Sequence, residues 1–466
     1  MVFSSLAFIF YFLPIFVLVY WIFPKNVTIL IFSVLFYSFY DLTLLPVLIV
    51  TLLLAYGFGL VIHKRRSKKY LVLGLALNFG LLFYFKYFEF FSVSFKDLLG
   101  TAENQNVANI ALPLGISFFT FQAGSYIIDV YIGRFEAQKN LLTFATYKLS
   151  FPQLIAGPIV RYEEVKDSLS HRTISLSQII AGLKIFTIGL SYKVLLANPL
   201  SEFTDKIFDV DPQYLTVYAA WLGAVGYTFQ LYFDFAGYSL MAIGLGKIMG
   251  FKYPENFNLP YSAKSVTDFW RRWHMTLSRW FRDYLYIPLG GNRKSSLRTY
   301  TNLGIVFILC GLWHGAAFTF IFWGVYHGLL LVIERLGLLN LRLMKSQFVR
   351  QIYTWVVIII GWVIFRADDL NQAGSHIKSL FGLNSNQGLL DFQSDFNSYT
   401  LLIIGLAFLI STGIGRQFVE LLLPRKTLMY FKSNLAIANF SIIALYLMSL
   451  MFLISNNTNP FIYFRF

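Results

Sequence analysis

Long apolar runs recur from one end of the 466-residue chain to the other. Those long enough to cross a bilayer, about 17–25 residues each, lie at 3–23, 43–62, 70–92, 112–132, 178–199, 214–243 and 436–455. Shorter runs lie at 27–40, 352–367 and 399–415, and a compound run lies at 301–334. A transmembrane barrel requires alternating apolar residues, whereas these runs are continuous. The pattern therefore predicts an all-α, polytopic integral membrane protein with about 10–12 transmembrane helices.

Composition supports one membrane-embedded chain rather than a string of soluble domains. Charged residues make up 13% of the sequence, against about 25% in soluble domains. No long polar linker interrupts the apolar runs. We therefore predict a single membrane domain over 1–466, with N-terminal transmembrane helices (1–140), a re-entrant segment (141–172), a catalytic core (173–335) and C-terminal transmembrane helices (336–466).

The net charge of +15 is explained by topology and not by nucleic-acid binding. Basic residues collect in short loops at 64–69 and 342–350, whereas the loop at 202–211 is acidic. Loops rich in Lys and Arg stay on the cytoplasmic side, so the first two loops are predicted to be cytoplasmic. The single cysteine, Cys310, excludes an intrachain disulfide framework and a cysteine-built metal cage. No metal site is predicted.

Two apolar segments do not read as simple crossing helices. In 144–161, Pro152, Gly157 and Pro158 break any continuous helix. Irregular backbone at membrane depth is tolerated only where protein or a water-filled cavity surrounds it. The segment is therefore predicted to be re-entrant.

The second segment, 301–334, lies between the basic residues Arg298 and Arg335. As one helix it would be about 50 Å long, too long for a hydrocarbon core of about 30 Å. Two full crossings would need roughly 40 residues. A partial hairpin satisfies both limits, with its turn near Gly311-Leu-Trp-His-Gly315. This places His314 inside the membrane, where an ionisable group is a functional candidate by default.

Between these segments, 264–298 mixes basic and aromatic residues, as interfacial amphipathic helices do. Asp268 and Arg272 are four residues apart and are predicted to pair on a helix. On a continuous helix, His274 shares a face with Trp270, Arg271 and Ser278, in a polar niche rich in cations. His274 is thus the second candidate site residue.

A neutral histidine in a membrane cavity can accept a proton from a hydroxyl group, because its ordinary pKa of about 6.5 lies near working pH. Nearby guanidinium and indole groups can hold an anionic acyl carrier or stabilise an oxyanion. The candidate substrate- and acyl-donor-binding residues are Trp270, Arg271, Trp273, Ser278, Arg282 and Trp313.

Several motifs resemble those of the membrane-bound O-acyltransferase family, and most closely its bacterial alginate O-acetyltransferase branch. The main motifs are Tyr232-Phe-Asp-Phe-Ala-Gly-Tyr-Ser239, Phe257-Asn-Leu-Pro-Tyr261, Phe269-Trp-Arg-Arg-Trp-His274, Arg282-Asp-Tyr-Leu-Tyr-Ile-Pro-Leu-Gly-Gly-Asn-Arg293 and Leu312-Trp-His-Gly-Ala316. Further motifs are Pro113-Leu-Gly-Ile-Ser-Phe-Phe-Thr-Phe-Gln122, Gly157-Pro158, Trp362-Val-Ile-Phe-Arg-Ala367 and Phe461-Ile-Tyr-Phe-Arg-Phe466.

The resemblance implies helices around a central funnel or tunnel in the bacterial cytoplasmic (inner) membrane. It implies that His314 is catalytic and that His274 supports acyl transfer or gating. It further implies that acetyl groups, from acetyl-CoA or another acyl carrier, pass to an extracytoplasmic SGNH-type acetyltransferase that modifies an exported polysaccharide. The other expected partner is membrane lipid, and no cofactor and no nucleic acid are expected.

Alternatives remain at both levels. His314 alone would also suit a hydrogen bond to a carbonyl freed at a helix break, and His274 an interfacial anchor. His327 reads as packing, and Cys310 as a small buried hydrophobe rather than an acyl-thioester carrier. Among functions, the alternatives are peptidoglycan O-acetylation, D-alanyl transfer to teichoic acid and a non-enzymatic transporter. A transporter would be expected to carry an internal repeat, and none is visible in the sequence.

Overall fold

The computed structural model describes residues 2–40, 42–99, 110–384, 398–422, 434–456, 459–460 and 462. All regular elements in this part of the chain are helices. In chain order they are α1 (Leu13–Ile22), α2 (Lys25–Ser38), α3 (Leu45–Arg65), α4 (Lys68–Leu82), α5 (Phe88–Leu98), α6 (Ile116–Ile132), α7 (Leu141–Leu149), α8 (Tyr162–Ser170), α9 (Leu176–Ser191), α10 (Asn198–Phe208), α11 (Val217–Ile248), α12 (Val266–Arg272), α13 (Met275–Phe281), α14 (Ser296–His314), α15 (Phe318–Arg335), α16 (Gln347–Arg366), α17 (Leu370–Leu380), α18 (Ser398–Thr412), α19 (Ile414–Leu422) and α20 (Leu435–Ser455).

Most of the longer helices overlap the apolar runs of the sequence, whereas polar helices such as α8 and α17 lie outside them. The all-α prediction is confirmed for the described residues. Among these residues, six helical segments are long and apolar enough to cross a membrane, or seven if α18 and α19, bent by 84°, form one broken span. This number is below the predicted 10–12, in part because the helical segments Phe8–Ile22 and Lys25–Ser38 are apolar but short. The protein is nevertheless a multi-pass membrane protein by composition and helix length.

The chain forms two compact units, Met1–Phe186 with Met241–Pro254, and Thr187–Leu240 with Glu255–Phe466. The predicted divisions at residues 140, 172 and 335 concern membrane segments and stay a prediction. Most of the motif Phe461-Ile-Tyr-Phe-Arg-Phe466 lies outside the described residues; within it, only Ile462 is described.

In the first unit, an aromatic cluster joins the N-terminal helices to the broken segment at 150–160. Phe8, Phe12 and Phe16 recur every four residues, so they lie on one face of the helical segment Phe8–Ile22, which contains α1. All three rings contact Phe151, with centroids 5.2–6.3 Å apart. Helix α7 ends at Leu149, and a single 3₁₀ turn spans Phe151–Gln153. The predicted helix break is confirmed, whereas its depth in the membrane stays a prediction.

Glycine at position 115 allows the broken segment to approach α6. Gly115 has a left-handed backbone (φ +76°), and a Cβ there would lie 2.2 Å from the Leu154 carbonyl oxygen. Nearby, the buried Lys148 ammonium donates a hydrogen bond to the Phe119 carbonyl. A side chain larger than glycine at 115 would therefore push the segment away.

In the second unit, α14 and α15 form the predicted hairpin. Helix α14 ends at His314, Gly315 is extended, and α15 begins at Phe318. The helices pack backbone to backbone, because a Cβ on Gly311 would lie 2.2 Å from the Phe320 carbonyl oxygen. A Cβ on Gly324 would lie 2.3 Å from the carbonyl oxygen of Phe307. The turn between the two helices and the position of His314 at the end of α14 are confirmed. The partial depth of the hairpin in the membrane stays a prediction, and α15 is long and apolar enough to cross by itself.

A buried ion pair fixes the end of the described chain within this unit. The Lys193 ammonium lies 2.7 Å from the Asp234 carboxylate, and both side chains are almost fully buried. Lys193 also donates to the Pro460 carbonyl, and the other Asp234 oxygen accepts from the Ile462 backbone N–H at 2.8 Å. The pair is thus satisfied by groups that follow α20.

Candidate functional site

His314 is the last residue of α14, and its side chain lies in an aromatic enclosure. It is 8% exposed, and its ring lies 5.1 Å from that of Trp323 and 5.2 Å from that of Phe365, both edge to face. Its neighbour Trp313 lies 5.0 Å away. Low exposure and the surrounding rings place this imidazole in a largely apolar environment.

The structure corrects the prediction for His274. The segment is not one continuous helix: α12 ends at Arg272, and His274 has a left-handed backbone (φ +42°) just before α13 begins. His274 therefore does not share a helix face with Trp270, Arg271 and Ser278. The predicted i,i+4 ion pair of Asp268 and Arg272 does form within α12, at 2.9 Å.

The niche of His274 is aromatic and amide-lined instead of rich in cations. The side chain is 1% exposed, and its Nδ1 lies 3.0 Å from the Asn256 Oδ1. The rings of Phe235 and Trp313 flank it, at 4.7 and 6.0 Å. Burial first, and the nearby His314 second, hold the pKa of His274 well below its ordinary value.

The two histidines therefore belong to one buried cluster. The Trp313 ring contacts both imidazoles, and His314 acts electrostatically on His274. Two imidazoles this close disfavour being charged together. Protonating one of the two imidazoles therefore disfavours protonation of the other.

Beside this cluster lies a cavity of about 540 Å³. Its lining consists of apolar side chains from the hairpin and α13 together with basic and hydroxyl groups and the buried carboxylate of Glu334. The residues are Ser265, Thr267, Trp270, Arg271, Leu277, Ser278, Phe281, Arg282, Tyr286, Leu303, Val306, Phe307, Cys310, Leu331, Glu334, Arg335 and Leu339. Arg271, Arg282 and Arg335 are exposed, whereas Cys310 is buried. The cavity thus runs from an exposed, basic rim to a buried, apolar end.

Four of the six predicted binding residues line this cavity: Trp270, Arg271, Ser278 and Arg282. The other two do not appear in its lining. Trp273 packs against Trp362, with ring centroids 4.8 Å apart, and Trp313 belongs to the histidine cluster. The structure thus divides the predicted site into a cavity group and a histidine group.

Helix α14 connects the two groups. Cys310 at the buried end of the cavity is four residues before His314, or about one helical turn. Across the site, the Trp270 ring contacts that of Trp323 at 5.5 Å, and Trp323 contacts His314 at 5.1 Å. The buried end of the cavity therefore lies about one helical turn from His314 along α14, and His314 itself is not part of the cavity lining.

His327 lies behind this aromatic wall. Its ring contacts those of Trp270 and Trp323, at 5.1 and 4.9 Å, and its side chain is fully buried. Neither ring nitrogen has a hydrogen-bond partner among the described residues. Its ring contacts are those of a packed side chain, and the packing role stays a prediction.

Two residues of this region were not predicted from the sequence. Asn256 holds His274, and Glu334 binds the first turn of α12 by accepting from the backbone N–H groups of Val266 and Thr267, at 2.6 and 3.0 Å. Asn256 directly precedes the Phe257-Asn-Leu-Pro-Tyr261 motif, and this neighbourhood is the sequence feature that could have drawn attention to it. In the part of the chain that the structure describes, no three His, Cys, Asp or Glu side chains are grouped to hold a metal ion.

Comparisons with known proteins show the family of the chain. The sequence model of the membrane-bound O-acyltransferase family matches residues 29–368. The chain is 41% identical, over 90% of its length and 82% of the relative's, to a probable alginate O-acetylase, AlgI, of Pseudomonas aeruginosa. It is 38% identical to a peptidoglycan O-acetyltransferase of Helicobacter pylori, over 82% and 80% of the two chains. A teichoic acid D-alanyltransferase of Bacillus subtilis is 35% identical over 48% and 59%.

Proposed function

The chain belongs to the membrane-bound O-acyltransferase family, and we propose that it relays acetyl groups across the bacterial cytoplasmic membrane for O-acetylation of an exported, alginate-type polysaccharide. The observation that carries this proposal is the placement of His314, buried at the end of the α14–α15 hairpin one turn beyond the closed end of the cavity. His314 at that point would act as the base on an acyl group that binds in the cavity.

The cavity suits an acyl donor with an anionic carrier. Arg271, Arg282 and Arg335 stand at its exposed rim, and guanidinium groups pair well with phosphate. Arg335 also ends the segment whose basic flanks predict a cytoplasmic position. Acetyl-CoA or another acyl carrier therefore binds from the cytoplasmic side, with its acyl group towards Cys310. No cofactor beyond this donor is required.

In the transfer step, His314 accepts the proton of the acceptor hydroxyl group as its oxygen attacks the acyl carbonyl carbon. The new C–O bond forms, the bond to the carrier's leaving atom breaks, and the proton passes from His314 to that leaving group. His274 supports this step from the same buried cluster. General acid–base catalysis of this kind contributes about 10²- to 10⁴-fold in rate.

The acetyl group leaves on the outer side of the membrane. The chain covers 82% of the probable alginate O-acetylase of Pseudomonas aeruginosa, which supports an alginate-type polymer as the final acceptor. We propose an extracytoplasmic SGNH-type acetyltransferase as the partner that completes the transfer. Membrane lipid surrounds the exposed apolar faces of the helices, such as that of α20.

Peptidoglycan O-acetylation is the second candidate, because the relative of that name in Helicobacter pylori aligns with most of both chains. D-alanyl transfer to teichoic acid has less support, since that relative aligns with 48% of this chain. A non-enzymatic transporter has none, because the family consists of acyltransferases.

The experiment is deletion of the gene in its host, followed by separate measurement of acetyl esters on exported polysaccharide and on peptidoglycan. We expect acetyl esters to disappear from a uronate-type exported polymer and to return with a plasmid copy. Loss confined to peptidoglycan would establish the second candidate. Unchanged esters on both polymers would refute the proposal.

A further inference from the structure

Asn256 contacts the break between α12 and α13 through four hydrogen bonds. Its Oδ1 lies 3.0 Å from His274 Nδ1 and accepts from the Thr276 hydroxyl at 2.8 Å and from the Thr276 backbone N–H at 3.4 Å. Its backbone carbonyl accepts from the Met275 N–H at 2.9 Å. Asn256 itself is 1% exposed.

These bonds determine which side-chain atom of Asn256 faces His274. A backbone N–H can only donate, so the atom that receives the Thr276 N–H is the amide oxygen. The amide nitrogen points the other way and donates to the Ser239 hydroxyl at 3.1 Å. Because an amide oxygen only accepts, His274 Nδ1 must carry a hydrogen and donate it.

A neutral imidazole has one N–H, so this arrangement leaves the lone pair on Nε2. That nitrogen is buried and has no hydrogen-bond partner among the described residues. A buried acceptor without a partner costs about 1–3 kcal/mol. A ligand that donates a hydrogen bond to this nitrogen would remove that cost.

The backbone of His274 is held in the left-handed conformation by contacts on both sides of the break. A left-handed residue other than glycine costs about 1–2 kcal/mol, and strain of this kind persists where surrounding contacts enforce it. The Asn256 bonds to Met275 and Thr276, with the Asn258 N–H bond to the Arg272 carbonyl at 2.9 Å, bracket the break on both sides.

From this geometry we propose that Asn256 is a positioning residue that locks His274 in the Nδ1–H tautomer and presents the Nε2 lone pair to the substrate as a hydrogen-bond acceptor. The assignment of a substrate to this nitrogen rests on the proposed function. The tautomer itself does not. His314 is the titratable group that acts on His274 electrostatically, and the other neighbours of the ring are Phe235, Trp313 and Asn256.

The tautomer is measured directly by ¹⁵N NMR of the full chain in lipid nanodiscs, with ¹⁵N-labelled histidine. The chain has six histidines, and the His274 signals are those lost in His274→Asn. We expect a protonated Nδ1 and an unprotonated Nε2 in the wild type, and loss of this pattern in Asn256→Leu. A protonated Nε2 in the wild type, or an unchanged pattern in a folded Asn256→Leu protein, would overturn the proposal.

Activity provides the second readout. Asn256→Leu removes the acceptor oxygen at similar volume, and we expect kcat for acetyl transfer to fall at least about tenfold with little change in KM for the donor, because the wrong tautomer lacks the acceptor lone pair. Asn371→Leu is the matched control: the same change at an exposed position on α17, away from the break. We expect it to act as wild type.

If Asn256→Leu does not insert stably into the membrane, Asn256→Asp tests whether the side chain at position 256 positions His274. The carboxylate still accepts all three bonds, so activity is expected to be rescued relative to Leu. A negative charge beside His274 favours its charged form, so activity should now be lost at a higher pH on acidification than in the wild type. An unshifted acidic limb would contradict contact between this carboxylate and His274.

The two proposals fail separately. If the wild type acetylates no glycan, the proposed function falls, while the NMR pattern still tests Asn256. If acetylation occurs and Asn256→Leu retains both the full rate and the tautomer, the function stands and the positioning role is wrong.

Discussion

His376 is a buried histidine whose charge state contributes to the pH dependence of stability. It lies on α17, stacked on Phe208 with ring centroids 4.5 Å apart and planes at 9°. Burial, opposed by a hydrogen bond with the Ala220 backbone and assisted by Arg366, lowers the pKa of His376 to about 4. The unfolded chain has the ordinary value of about 6.5.

Between these values the unfolded state binds more protons, so stability falls as pH falls from about 6.5 to about 4. The loss through His376 alone is on the order of 3 kcal/mol. His376→Phe keeps the stacking and removes the titration. We expect the melting temperature of the wild type in detergent to decrease more steeply than that of His376→Phe over this range, and parallel curves would refute the assignment.

At the residue scale, the sequence predicts His314 well and His274 poorly. The position of His314 follows from segment length, flanking charges and Gly315, all of which are local. The position of His274 depends on Asn256, eighteen residues earlier in the chain, whose side chain enforces a left-handed break. Helical periodicity carries no information about such a contact, so a continuous helix was the natural but wrong prediction.

At the element scale, the α14–α15 hairpin depends on two glycines. A Cβ on Gly311 or Gly324 would approach a backbone carbonyl of the opposite helix within 2.3 Å, so Gly311→Ala or Gly324→Ala must separate the helices. Such overpacking costs about 1–3 kcal/mol. We expect both variants to melt at lower temperature and, because His314 ends α14, to lose acetyl transfer.

Gly304→Ala provides the matched control, since no atom lies within 4 Å of a Cβ at that position on the same helix. It should be neutral or slightly stabilising, as alanine favours helix over glycine. Equal behaviour of Gly304→Ala and Gly311→Ala would show that close packing does not hold the hairpin. The measurement is thermal melting of the purified protein, followed by fluorescence-detected size exclusion.

Elements themselves were largely predictable, because continuous apolar runs and helix-breaking residues are local signals. The runs at 43–62 and 436–455 correspond to α3 and α20. Pro152 and Gly157 mark the break after α7. The division of 264–298 into short helices was not predictable, because Glu334 and Asn256 fix it from outside the segment.

At the scale of the whole molecule, the charge pattern predicts which loops face the cytoplasm. Lys68 is the first residue of α4 and part of the basic stretch at 64–69, and Asp209 follows α10 in the acidic stretch at 202–211. Both are exposed. In a Cys310→Ala background, which has no other cysteine, we expect Asp209→Cys to react with a membrane-impermeant maleimide in intact cells. Lys68→Cys should react only after the membrane is opened.

The reverse labelling pattern would invert the topology and would place the basic rim of the cavity on the outer side. That result would contradict entry of an acyl carrier from the cytoplasm, because Arg335 would no longer face it. The unaltered protein is the control: its buried Cys310 should remain unlabelled in intact cells.

The family as a whole was visible in the sequence, because its motifs are contiguous between 232 and 328 and a sequence alone displays them. The cavity was not visible, since it is built from α12 to α15 by packing. The sequence alone therefore did not predict which candidate residues line the cavity and which lie beside the two histidines.

The most direct test of the account is the acetyl-ester content of exported polysaccharide in cells that carry only a His314→Ala chain. Membrane levels of the protein are matched to wild type, and His171→Ala, at an exposed histidine between α8 and α9, serves as the control. We predict wild-type acetylation with His171→Ala and a loss of at least about 100-fold with His314→Ala, the lower range expected for removal of a general base. Undiminished acetylation by a correctly inserted His314→Ala protein would contradict the central role given to His314.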